Sequence, residues 1–101
     1  MDPMKAPMRR KRDEAEMLAV EALAFIAAEP ERLGAFLAAT GLEAERIRAA
    51  ARSPGFLAGV LEHMLGDESL LLAFAASAGI DPGAIAPACA ALGGQKDRSM
   101  P

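Results

Sequence analysis

Few side chains in this sequence suit reactive chemistry: one histidine (His63), one cysteine (Cys89), and Glu21, a carboxylate set among apolar residues in LAVEALAFIAA. A general acid or base works with a second positioned group, and the surroundings of Glu21 offer none. An unpaired carboxylate buried there would cost roughly several kcal/mol, so Glu21 is expected at the surface or paired with Arg32, Arg46 or Arg48. His63 sits beside Glu62 at the edge of an apolar stripe, with no second histidine or cysteine at ligand spacing, and reads as a boundary residue. Cys89 shares a helical face with Ile85 and Leu92 and lacks the cationic neighbours that activate a thiol, so it is expected to be a small hydrophobe of the core. One Cys and one His make neither a zinc site nor an internal disulfide. No serine has a base and an orienting group, and no Gly-rich loop follows a strand. The expectation is a non-enzyme with no cofactor and no metal.

Cations are the second group with chemical potential. Arg9, Arg10, Lys11 and Arg12 are consecutive, and Arg46, Arg48 and Arg52 follow the turn in FLAATGLEAERIRAA. Clustered cations gain from counterion release on phosphates and are drawn to anionic lipid head groups. The FLAATGLEAERIRAA segment resembles a helix-turn-helix, with Gly41 at the turn, Leu42 and Ile47 inward and the arginines outward. Against this, Leu37 stands where such motifs prefer a small residue, and Glu43 and Glu45 would face phosphates. A plain helix corner is favoured, with these seven cations as the candidate nucleic-acid contacts of a second reading. All four Phe fall on apolar faces, leaving no platform for stacked bases.

Charge also divides the chain. Residues 1–12 carry five basic and one acidic residue, 13–92 four basic and twelve acidic, and 93–101 two basic and one acidic, giving +4, −8 and +1. Residues 1–12, with Pro3 and Pro7, are expected to be a disordered basic arm, 95–101 a disordered tail, and 13–94 a single helical domain. Asp13, Glu14, Glu16 and Glu21 break up any signal-peptide pattern, and no run reaches the roughly 18 apolar residues of a spanning helix. With a lone cysteine, a cytoplasmic protein is expected.

The elements that must position these groups are helices. The chain is 52% hydrophobic yet has 24 Ala, 12 Leu, four Phe and no Trp or Tyr, a bias to helix formers that implies an all-α bundle. Asp13 and Glu16 make a capping-box-like start to a first helix over 14–28. A second, over 31–39, has Pro30 in its first turn and stops at Gly41. A third covers 43–52. Ser53-Pro54 starts a fourth, with Phe56, Leu57, Val60, Leu61, Met64 and Leu65 at helical spacing up to Gly66. Asp67 caps a fifth that reaches Gly79, and Asp81-Pro82 starts a sixth that ends at Gly93-Gly94. Pro87 predicts a kink in that last segment, or a single turn before a helix restarting near Ala86. The first helix is apolar on several sides and is expected to be central. Exposed Leu70 to Leu72 would make a self-association patch.

A shift of 38 residues aligns Leu23 with Leu61, Leu33 with Leu71, Phe36 with Phe74, Gly41 with Gly79, Leu42 with Ile80 and Ile47 with Ile85. The pattern is that of two pseudo-repeated three-helix halves sharing one core. Neither half has enough apolar surface to stand alone, so one cooperative unfolding transition is expected.

The strings EALAFIAAEPERLGAFLAATGL and SPGFLAGVLEHMLGDESLLLAFAASAGIDP, with EALAF at residues 21–25 the most recognisable, resemble a small bacterial family of uncharacterised helical proteins, a domain of unknown function. The resemblance covers roughly 14–94. It implies a compact helical, cytoplasmic protein and carries no activity or site. The reading is a non-catalytic helical module that binds a protein partner in a groove between helices. The alternative is a nucleic-acid-associated protein using the basic arm and the helix-turn-helix-like segment.

Overall fold

The computed structural model describes residues 5–93, with side chains from Lys11 onward. Its α-helices are α1 (Lys5–Ala27), α2 (Pro30–Thr40), α3 (Ile47–Ala50), α4 (Pro54–Leu65), α5 (Glu68–Ala78) and α6 (Ile85–Ala91). Single 3-10 turns at Ala44–Arg46 and Pro82–Ala84 lead into α3 and α6, and no strand occurs among the described residues. The all-α bundle of six helices is thus the observed class.

Local chemistry explains most boundaries. Pro30 and Pro54 occupy first-turn positions, where the missing N–H has no intrahelical partner to lose. Gly41 and Gly79 end α2 and α5 with φ of 72° and 71°, the left-handed conformation that glycine adopts without strain. Asp67 Oδ1 accepts the Leu70 N–H at 3.2 Å, and Asp81 Oδ1 accepts the Gly83 N–H at 2.9 Å. The turn before α6 and the restart at Ile85 place Pro87 in the new helix's first turn, which resolves the conflict that Pro87 posed.

Other boundaries differ from expectation. α1 starts at Lys5 rather than near Glu14, so Asp13 is inside the helix and caps nothing, and the backbone of residues 5–12 is a helical extension rather than a separate arm. The stretch from Ala6 to Arg12 is composed of strong helix formers apart from Pro7, which is tolerated in a first turn. Residues 1–4 and the expected tail, 95–101, lie outside the described residues. The third helix is a 3-10 turn plus four residues, and Ser53 has extended N-cap geometry without a side-chain cap bond.

The core lies where α1, α4 and α6 pack against one another, with Ala19, Ala22, Ile26, Val60, Leu61, Met64, Ile85 and Cys89 fully enclosed. α1 contributes one face only. It packs against α2, α4 and α6, the central place its composition suggested, but Met17 is 65% exposed and Val20 47%, so it is not covered on all sides. Leu70 is buried and Leu71 half-buried, which reduces the expected Leu70–Leu72 patch to Leu72 alone. Among the described residues no single helix is long and apolar enough to cross a membrane.

The internal repeat extends to the elements themselves. Moving along by 38 residues takes the end of α1, Ala27, to the end of α4, Leu65; Pro30–Thr40 to Glu68–Ala78; Ala44–Arg46 to Pro82–Ala84; and the start of α3, Ile47, to that of α6, Ile85. Burial follows. Leu23 and Leu61, Ile26 and Met64, and Phe36 and Phe74 are buried in both copies. The copies diverge after the 3-10 turn of each, where α6 continues to Ala91 but α3 stops at Ala50 because Pro54 must open α4.

Candidate functional site

The divergence between the halves shapes the surface between α1 and α3. In the second half, α6 seals against α4: Ile85 and Cys89 are fully buried, Leu92 nearly so, and Cys89 Sγ donates to the Ala58 carbonyl oxygen at 3.7 Å. The equivalents of Cys89, Ala58 and Leu92 in the first half are Ala51, Val20 and Pro54. Here Ile47 and Ala51 are only half-buried, Pro54 is exposed, and Val20 keeps nearly half its surface. A seat that is filled on α4 is therefore only partly filled on α1.

Two adjoining depressions result, of about 720 and 780 Å³, both lined by Val20 and Ala51. The first adds Met17 and Leu57, with Asp13, Glu16 and Glu21 on the α1 side and Arg52 opposite. The second adds Leu23, Ala24, Ala27, Ala44 and Ile47, with Glu45 and Arg48 at its edge. Together they form one groove between α1 and α3 with an apolar floor and charged walls. Such a groove can bury another apolar surface; it does not bring together a nucleophile, a base and an oxyanion donor.

Glu21 is exposed on the wall of this groove, and none of its expected partners meets it. Arg32 pairs with Glu29 at 3.7 Å and Arg46 with Glu43 at 3.7 Å, both at i,i+3. The Arg32 guanidinium also lies 4.0 Å from the centroid of the Phe25 ring. His63 is half-buried with its ring edge-on to Phe36 at 5.1 Å, the boundary position expected of it. Cys89 is in the core. Among the described residues, no group of three His, Cys, Asp or Glu gathers in metal-ligand geometry.

The candidate nucleic-acid contacts are scattered. Lys11 and Arg12 are exposed on α1, the side chains of Arg9 and Arg10 lie outside the described ones, and Arg46, Arg48 and Arg52 are exposed around α3. α3 itself has four residues, little more than one turn, where a recognition helix lays two or more turns in a major groove. Sequence reasoning missed Met17, Val20 and Ala51 as surface residues. The signal was present in the repeat register, where Ser53-Pro54 cuts short the first copy of the third helix.

No curated protein and no solved structure gives a significant match to this chain. One family profile does, over residues 12–95, which takes in most of α1 and all of α2 to α6. By that match, spanning most of its length, the chain belongs to the DUF3572 family, described as a protein of unknown function.

Proposed function

We propose that this protein is a non-catalytic helical module that docks a helix of a protein partner in the groove between α1 and α3. The observation that carries the reading is Val20, 47% exposed beside Met17 at 65%, on a seat whose counterpart in the second half is covered by α6. Contiguous exposed apolar surface with a charged border marks interaction sites, and an amphipathic helix laid in a groove is a recurrent way of filling one. The lone, fully buried thiol of Cys89 suits a reducing, cytoplasmic setting.

Site-specific photo-cross-linking tests this directly. A photoreactive residue at position 20 is expected to yield a discrete adduct with another protein in cells, whereas the same residue at exposed Ala38 on α2 is not. Adducts at both positions alike, or at neither, would remove the groove as the site of function.

A further inference from the structure

We infer that the first two turns of α1, residues 5–12, dock end-on in the major groove of B-form DNA, without regard to base sequence, with their cations against the phosphates of both strands. The inference is independent of the groove reading above and concerns a different part of α1.

Charge comes first. Lys5, Arg9, Arg10, Lys11 and Arg12 are five cations with no carboxylate among residues 5–12, and Asp2, the one carboxylate before them, lies outside the described residues. The backbone is helical through the whole stretch. Successive residues of an α-helix stand about 100° apart, so Arg9 to Arg12 occupy positions spread round its circumference. Helix stability does not explain that placement. Cations at a helix start are opposed by the positive end of the dipole, and a cation four residues before a carboxylate, as Arg12 is before Glu16, is in the weaker order for pairing. Lys11 and Arg12 are exposed, and neither forms an ion pair among the described residues.

The core does not use the segment either. Ala15 is the first buried side chain among the described residues, and the helix before Glu16 has no counterpart in the second half, where α4 opens at Pro54. All of these cations but Arg12 also precede the residues that the family profile matches. A cationic turn that neither the helix nor the core requires is free to meet a polyanion, which would relieve the unfavourable charge at the helix start.

Shape selects the polyanion. A helix that lies on a membrane needs an apolar face, and residues 5–12 offer only Ala6, Pro7 and Met8, with cations interleaved on every side. A major groove about 12 Å wide takes a helix about 10–12 Å across and carries phosphates along both rims, so cations all round the helix are matched. Eight residues span about 12 Å, enough for the groove's depth of about 8.5 Å. Neighbouring charges fix the approach. Asp13, Glu14 and Glu16 follow directly on α1, Arg52 stands across a depression from Asp13 and Glu16, and the residues that line a hollow with Lys11 and Glu14 from the α6 side, Ala84, Pro87, Ala88 and Ala91, are uncharged. DNA laid along α1 would meet the three carboxylates, so the helix enters by its end, and the −8 of residues 13–92 keeps the binding weak.

The test is fluorescence anisotropy of the full chain with labelled DNA duplexes across a range of salt concentrations. Binding at low salt is expected, equal for two duplexes of unrelated sequence, with a slope of log affinity against log salt of about −4, as four or five neutralised phosphates give. Arg9→Gln/Arg10→Gln/Lys11→Gln/Arg12→Gln should weaken it roughly tenfold or more without lowering the melting temperature. Val20→Glu should leave it unchanged, which keeps this site distinct from the α1/α3 groove. Ala6→Gly/Met8→Gly retains every charge and frays the helix, and should weaken binding several-fold. No binding at low salt, or binding unchanged in the quadruple variant, would overturn the inference. A glycine variant that binds as tightly as the parent, or an A-form RNA duplex bound as tightly as DNA, would overturn the major-groove assignment, because the major groove of A-form RNA is too narrow for the helix. Tighter binding to vesicles of anionic phospholipid than to DNA would make the target a membrane and overturn it equally.

Discussion

The ring of Phe25, in the first half of the chain, lies 5.6 Å from that of Phe74 in the second, tilted by 58°. The contact is reciprocal: 38 residues after Phe25 stands His63, 38 before Phe74 stands Phe36, and these two rings meet edge-on at 5.1 Å. Each half thus places an aromatic residue of its long helix against a phenylalanine of the other half, the isologous arrangement of a two-fold dimer realised within one chain. The halves complete each other's cores.

That reciprocity has a thermodynamic consequence. Phe36 and Phe74 are both buried, so Phe36→Ala and Phe74→Ala should each cost about 3–5 kcal/mol. Because each ring bridges the two halves, either variant should lower one shared transition in scanning calorimetry rather than split it. Two resolved transitions, each moved by only one of the substitutions, would mean that the halves fold independently.

Arg32 is where the first half departs from the second at this junction. Its counterpart is Leu70, which is buried, whereas Arg32 stacks 4.0 Å above Phe25 and leaves a buried Nε without a hydrogen-bond acceptor. The orphaned donor offsets much of what the stacking, on the order of 1 kcal/mol, and the weak surface pair contribute. Arg32→Leu should therefore hold or raise the melting temperature, since it supplies the side chain the other half already uses there. Arg32→Ala loses the stacking and the packed stem and should lower it by several degrees. Thermal denaturation followed by circular dichroism orders the two variants, and the reverse order would make the guanidinium a net stabiliser.

The helix starts also differ in quality. Asp67 and Asp81 accept backbone N–H groups, while Glu29 and Glu43, their counterparts, make no cap bond. The extra methylene of glutamate carries the carboxylate past the N–H groups that aspartate reaches. Glu43→Asp should stabilise the protein by about 0.5 kcal/mol and Asp81→Ala should destabilise it by about 1 kcal/mol. Urea unfolding with an unchanged slope checks both, and a neutral Asp81→Ala would show that the bond to Gly83 adds nothing to stability.

These comparisons show what can be read from sequence here. Pro30, Gly41, Pro54, Asp67, Gly79 and Asp81-Pro82 mark the element ends because proline, glycine and short acids act within a turn of themselves. Asp13 misleads for the same local reason: a capping-box pattern works only where the chain leaves the helix, and Ala6 to Arg12 do not leave it. The groove was harder to see. A run of Ala, Leu and Val on all sides of α1 says that any face can be buried, and only the length of a distant helix, cut off by Pro54, decides which one stays open.

The amino-terminal turns of α1 provide the last test. Pro54, where α4 begins, corresponds to Glu16, so the helix before that point has no counterpart in the repeat. Ala15 is the first buried side chain among the described residues, and a basic segment at a helix start is opposed by the positive end of the helix dipole. Deleting residues 1–12 should therefore remove helical signal in proportion to the turns lost while shifting the melting temperature by no more than about 3 °C, the scale of a surface change in a domain this size. The same deletion leaves Met17, Val20 and Ala51 in place, so a helix bound in the α1/α3 groove should keep its affinity. A large loss of stability would show that the extension packs on the bundle and belongs to the fold rather than preceding it.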